Sequence, residues 1–176
     1  MSVFNGSVHL TKRVFYSIIK LKEYTDCMDK VEIYTDGSCL CNPGPGGWAA
    51  ILVCRGRELV LSGGEAETTN NRMELQGAIA AFGALKRPCR ITFCSDSKYV
   101  TEGLSKNWAR SWQMRGWRKS DNKPALNVEL WEKLLDLTEP HEIEYKWIKG
   151  HAGHPYNERC DELARAEAGK YPKEDK

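Results

Sequence analysis

Four acidic residues stand out for where they fall in the chain: Asp36, Glu74, Asp96 and Asp161. Asp36 closes an alternating apolar stretch and precedes a glycine, and Asp96 directly follows a second apolar stretch, Ile91 to Cys94. Glu74 lies in a helical row with Ala78, Ala81 and Leu85, and Asp161 in one with Ala164 and Ala168. Small residues in such a row let a helix approach a sheet closely. Carboxylates gathered at one place repel one another, so either some take up protons or cations neutralise them. A set of hard oxygen donors selects Mg²⁺ or Mn²⁺ over zinc. Two such ions about 4 Å apart can activate a water and stabilise the leaving oxygen of a phosphodiester. Each acid alone also has a structural explanation, as a turn residue at a strand end or as a charge near a helix N-terminus.

The elements that must position these acids follow from periodicity. Val31–Thr35 alternates as a strand. Asn42-Pro-Gly-Pro-Gly-Gly47 reads as a turn-rich loop, Trp48–Cys54 as a second strand, and Glu58–Ser62 as a third beyond an Arg-Gly-Arg turn. The short links favour antiparallel pairing. A helix is expected from Asn71, with Asn71-x-x-Glu74 as a capping box and an apolar stripe of Leu75, Ala78, Ile79, Phe82 and Leu85. Strand, helix and strand then imply a right-handed parallel crossover, which places the ends carrying Asp36 and Asp96 side by side. Short helices are expected over Ser97–Gly103 and Trp108–Arg115. A longer one over Asn127–Leu137 would be capped by Asn127, a fifth strand follows over Ile143–Ile148, and Asn157–Ala168 forms a closing helix. The expected class is α/β: a mixed five-stranded sheet, with three antiparallel strands plus parallel strands, flanked by helices.

At 176 residues, with 41% hydrophobic and 28% charged, the chain suits one domain. We place it over residues 31–170, with an extension over 1–30 and a polar tail over 171–176. No apolar run is long enough for a membrane helix. The seven cysteines are odd in number and include no C-x-x-C pair, which argues for reduced thiols in a cytosol-like compartment. The extension carries Lys12, Arg13, Lys20 and Lys22 before its first acid, Glu23, with Val14, Phe15, Ile18 and Ile19 at helical spacing. An organelle-targeting leader, a short appended helix and a poorly ordered extension all fit it, the last with Met28 as an alternative start.

The net charge of +2 is modest, but the basic residues are clustered. Lys106–Lys119, KNWARSWQMRGWRK, holds five basic residues and no acid, interleaved with three of the six tryptophans, Trp108, Trp112 and Trp117. Trp108 and Trp112 are four apart, hence on one helix face, with Arg115 three further on. Such a segment can clamp a phosphate backbone and lie against sugars, or its tryptophans can pack as a small satellite core.

The contexts of the acids carry a resemblance. Tyr34-Thr-Asp36-Gly-Ser-Cys39 with Asn42–Gly47, then Thr68–Leu75, Ser95-Asp96-Ser97, Lys149–His154 and Asn157–Ala164 resemble, in order, five blocks of the bacterial-type (type 1) ribonuclease H family. The resemblance spans about residues 31–169. It implies a ribonuclease H-like fold and an endonuclease that hydrolyses the RNA strand of RNA–DNA hybrids, leaving 5′-phosphate and 3′-hydroxyl ends. It assigns Asp36, Glu74, Asp96 and Asp161 to two Mg²⁺ ions, for which Mn²⁺ can substitute. It gives His151 a role in proton transfer or product departure from a mobile loop, and an imidazole, which can both take up and release a proton, suits that role.

Cys39, Asn42, Asn70 and Asn71 lie in matched blocks, where backbone and amide groups would read the minor groove by shape and 2′-hydroxyl. The Lys106–Lys119 segment resembles the basic protrusion of bacterial members, so Trp108, Trp112, Arg115, Trp117, Arg118 and Lys119 are expected to hold the hybrid. Lys98 stands where glutamine is common and Cys41 where glycine is, and Lys98 would add a cation near the scissile strand. His154 is expected to be structural. Resolvase-like nucleases, a viral reverse-transcriptase fragment and a non-catalytic hybrid-binding module fit less well, because all five blocks and all four acids are present. The expected protein is a cytoplasmic monomer without a membrane or an obligate protein partner.

Overall fold

The computed structural model describes residues 28–171. The readings of the extension up to residue 27, and of the tail from residue 172, lie outside the described residues. The elements run β1 (Lys30–Cys39), β2 (Gly44–Cys54), β3 (Arg57–Thr68), α1 (Asn70–Gly83), β4 (Arg90–Ser95), α2 (Lys98–Ser105), α3 (Trp108–Met114), α4 (Val128–Thr138), β5 (Glu142–Trp147) and α5 (Pro155–Ala168). Five strands form one sheet in the order β3-β2-β1-β4-β5. β1, β2 and β3 pair antiparallel, whereas β1–β4 and β4–β5 pair parallel. The mixed sheet and the α1 crossover are as expected. Among the described residues, no helix is long and apolar enough to cross a membrane.

The sheet is covered unequally. One face meets α1 to α4 over the main core, where Ile33, Leu75, Phe82, Phe93, Trp131 and Leu134 are almost fully buried. The other face meets α5 through a smaller cluster of Tyr34, Ala49, Ile51, Cys94, Cys160 and Ala164. The alanines of α5 give it the close approach that its small-residue row predicted.

Three local expectations are corrected. The Pro-Gly run is not all loop: Gly44 to Gly47 belong to β2, with Gly47 facing Ser38 on one side and Gly64 on the other. Pairing on both edges overrides the weak strand propensity of glycine. Pro45, which has no N–H to donate, sits where the β2–β3 register shifts between Gly44 and Gly46. Second, α1 starts at Asn70 with Thr69 as its N-cap, so Asn71 and Glu74 form no capping box. Glu74 is drawn toward other partners, described below. Third, Asn127 precedes α4 in the left-handed region and makes no side-chain cap. Its amide donates instead to the Tyr99 hydroxyl at 3.3 Å, which in turn accepts from the buried Trp131 indole at 2.9 Å.

Candidate active site at the end of the parallel strands

The parallel register pairs Thr35 with Ser95, which brings the next residues, Asp36 and Asp96, to the same end of the sheet. Gly37 then lets α1 rest directly on β1, because a Cβ there would run into the backbone at Met73 and Glu74. This contact delivers Glu74 to the same end. On the opposite face α5 delivers Asp161 from its second turn. The four acids therefore come from the sheet and from helices on both of its sides.

The electrostatics reflect this crowding. Asp36 is buried, and burial together with the neighbouring Asp96 charge pushes its carboxyl up to about 8. Asp161 and Glu74 push the same way, and the Gly37 N–H, donating at 2.7 Å, opposes them. Glu74 is pushed up to about 7, chiefly by burial and then by Asp96, against hydrogen bonds that favour its charged form. These come from Asn70 Nδ2 to Oε1 at 2.9 Å and Ser97 Oγ to Oε2 at 2.5 Å. Asp161 accepts from Arg165 at 2.6 Å, and His151 Nδ1 lies 4.0 Å from the same carboxylate. Among the described residues, no group of three or more His, Cys, Asp or Glu side chains stands as a ready-formed cation cage. The donor set is nevertheless all hard oxygen, and two of its members carry a charge penalty that a divalent cation would remove.

Several residues that hold the acids had no assigned role in the sequence. Ser97 caps α2 by accepting from Val100 N–H while its hydroxyl donates to Glu74. Asn157, buried in the first turn of α5, donates from Nδ2 to Asp96 Oδ2 at 3.3 Å. Trp147, at the end of β5, donates its indole N–H to the Asp96 carbonyl at 2.8 Å. The Ser97 cap was readable from a serine just before a helix; the other two contacts span 61 and 51 residues and leave no local signal.

The remaining candidates are distributed as follows. His151 projects from the β5–α5 loop at φ 51°, with its side chain 80% exposed. His154 packs at a tilt against Tyr34, with ring centroids 5.2 Å apart. Cys39 turns its thiol to the carbonyls of Cys41, Gly44 and Thr68. Asn42 Oδ1 accepts from the Asn70 N–H at 3.3 Å, and Asn71 is exposed beside them.

In the basic segment the tryptophans divide. Trp108 is exposed and carries the Lys106 ammonium over its ring at 5.1 Å. Trp112 packs edge-on against Trp131, and Trp117 packs on the core with its indole donating to Glu132 at 3.0 Å. Trp108 and Trp112 therefore do not form one exposed face, because the main core draws Trp112 inward. Arg115 and Arg118 are exposed, each tied by a guanidinium N–H to a backbone carbonyl, of Ser111 and Asn122 respectively; Lys119 is half-buried.

Comparison with known proteins agrees with this architecture. The ribonuclease H (RNase H) family profile matches residues 28–169. The chain is 59% identical over 146 residues to a ribonuclease H of Proteus mirabilis, covering 83% of this chain and 91% of that protein. It is 56% identical over 141 residues to one of Escherichia coli, covering 80% and 90%. LC9-RNase H1, a type 1 RNase H with the type 2 active-site motif, superposes with a TM-score of 0.72 at 32% identity, covering 84% of this chain and 75% of its own. LC11-RNase H1, solved in complex with RNA/DNA hybrid, superposes at 0.59 with 25% identity, covering 80% and 97%. Fold, site and likeness together define an α/β nuclease. The chain belongs to the ribonuclease H family, in its bacterial-type (type 1) branch.

The Asp96 surroundings make one prediction. A Cβ on Gly150 would lie 2.5 Å from Asp96 Oδ2, a carboxylate that Asn157 also holds. Gly150→Ala should displace that carboxylate and lower kcat by roughly 10- to 100-fold, the scale expected of an ångström-sized misplacement. The melting temperature should change little, since residue 150 lies in a partly exposed loop. Steady-state rates at saturating substrate, with a thermal melt, check both halves.

Proposed function

We propose that this chain is an endonuclease that hydrolyses the RNA strand of RNA–DNA hybrids, leaving 5′-phosphate and 3′-hydroxyl ends. The observation that carries the reading is the meeting of Asp36, Glu74, Asp96 and Asp161 at one sheet end, two of them with strongly raised pKa. Together with the family, it points to two Mg²⁺ ions, with Mn²⁺ as a substitute, held by these carboxylates. Such ions supply Lewis-acid activation of a water and stabilisation of the leaving oxygen.

The protein's own groups do the rest. Ser97 and Asn70 keep Glu74 oriented, while Asn157 and Trp147 hold Asp96 at its side chain and its backbone. His151, exposed beside Asp161, would carry a proton to the departing 3′-oxygen or help product leave. The loop of Cys39 and Asn42, with Asn70 and Asn71, faces the minor groove, where the 2′-hydroxyl distinguishes RNA from DNA. Trp108, Arg115, Arg118 and Lys119 grip the backbone, with Trp112 and Trp117 as the pegs beneath them. We place the enzyme in the cytoplasm as a monomer with no obligate protein partner.

The test is a cleavage assay on strand-labelled RNA–DNA hybrid, duplex RNA and duplex DNA, each with Mg²⁺ and with a chelator. Metal-dependent cutting of the hybrid's RNA strand alone is the expected result. A folded sample that leaves the hybrid intact in both Mg²⁺ and Mn²⁺ would sink the reading.

A further inference from the structure

Lys98 and Trp147 meet at the rim of the acidic end. Lys98 is the first residue of α2, two positions after Asp96, and it is exposed. Its ammonium sits over the Trp147 ring, 4.9 Å from the centroid. Among the described residues it enters no ion pair, although Asp96 stands two positions before it in the chain. Trp147 is 48% exposed, and its indole N–H is fixed to the Asp96 carbonyl at 2.8 Å. The ring is therefore a rigid shelf, tied to the same residue that bears one of the acids. A cation on its face is held by the ring quadrupole and kept off the carboxylates.

We propose that this pair is a phosphate seat, in which Lys98 takes one backbone phosphate of the RNA strand flanking the cut and Trp147 is the positioning residue that holds the ammonium ready. The proposal rests on the hybrid-cleaving reading above and adds a substrate-positioning contact to it. Phosphate is the chemistry that fits. An ammonium offers three donors and no acceptor, so it suits an anionic oxygen and reads no base pattern. The ring face is already covered by the cation, which disfavours stacking on a sugar or base. Charge balance agrees, because a polyanion approaching four carboxylates needs a cation at their edge.

The experiment follows hybrid cleavage over roughly 50–200 mM salt, the range in which phosphate contacts are strongly screened. It compares the wild type, Lys98→Gln, Lys98→Arg, Trp147→Leu and the Lys98→Gln/Trp147→Leu double variant. Lys98→Gln should raise KM about three- to fivefold at the low-salt end, with a smaller change in kcat. It should also flatten log KM against log salt by roughly 0.7–0.9, the equivalent of one neutralised phosphate. Lys98→Arg should restore the slope. Trp147→Leu should flatten the slope, and it should add nothing to the slope when Lys98 is already glutamine.

A wild-type slope and KM in Lys98→Gln would overturn the seat. A further slope change from Trp147→Leu in the double variant would overturn the positioning role. A wild-type protein that cuts no hybrid would overturn the parent reading and the seat together, and that failure is visible before any variant is compared.

Discussion

Asp36→Asn should abolish hybrid cleavage, by roughly a thousandfold or more, and should make the cation-free protein more stable than the wild type at pH 8. The first effect follows from the metal-holding role proposed for Asp36, at the centre of the acid cluster; a metal's share of transition-state stabilisation is several kcal/mol. Hybrid binding should persist, because the shape of the surface is unchanged. The second effect follows from the raised carboxyl. Folded Asp36 titrates at about 8, against about 3.9 for an unperturbed aspartate. The folded protein thus holds this proton more tightly than the unfolded chain does. The associated stability is full below pH 4 and is lost as pH rises through about 8. Asparagine carries no such charge and escapes the loss.

Some repulsion is relieved when neighbouring acids shift, so the expected advantage is on the order of 2 kcal/mol at pH 8, or roughly 4–8 °C in melting temperature. It should shrink toward pH 4, and it should shrink again when Mg²⁺ stabilises the wild type. Thermal melts of both proteins with chelator and with Mg²⁺, at pH 4 and pH 8, check this. Equal melting temperatures in chelator at pH 8 would mean that Asp36 is not under charge stress.

Neutralising Arg115, Arg118 and Lys119 together should weaken hybrid binding by about 10- to 100-fold at moderate salt. The salt slope should fall by up to about 3, one unit for each phosphate that is no longer neutralised. Arg115 and Arg118 are exposed and braced against backbone carbonyls, so their remaining N–H groups are presented with little freedom to lose on binding. The three substitutions leave Trp112 and Trp117 in the core, so the fold should hold. Binding titrations at several salt concentrations provide the measurement. A wild-type slope would remove this segment from the binding surface.

Much of the site was legible because it rests on short-range patterns. Strand alternation led up to Asp36 and Asp96, although β1 itself runs on past Asp36 to Cys39, and helical rows with alanines placed Glu74 and Asp161 on faces turned to the sheet. Other features depend on partners far away in sequence. Nothing local marks Asn157 or Trp147 as holding Asp96. The Pro-Gly stretch reads as loop from composition, and pairing to β1 and β3 makes part of it strand. The Asn71 capping box does not form because Ser97 and Asn70 hold the Glu74 carboxylate within the site. Trp112 looks like a binding aromatic from spacing alone; the neighbouring Trp131 takes it into the core.

The order of the acids along the chain has a consequence for synthesis. Asp36 leads β1 out, Glu74 and Asp96 follow, and Asp161 arrives on α5, the last helix of the described chain. The sheet cannot gain its last strand until β5 has been made, and α5 comes after that. A ribosome-bound chain with everything up to β5 holds three of the four acids and lacks both Asp161 and the Asn157 amide that holds Asp96. Chains emerge N-terminus first and fold as they do so. On the roles proposed above, nuclease competence would arrive only with α5, and a nascent chain would stay inert toward the nucleic acid around it until that helix has left the ribosome and docked.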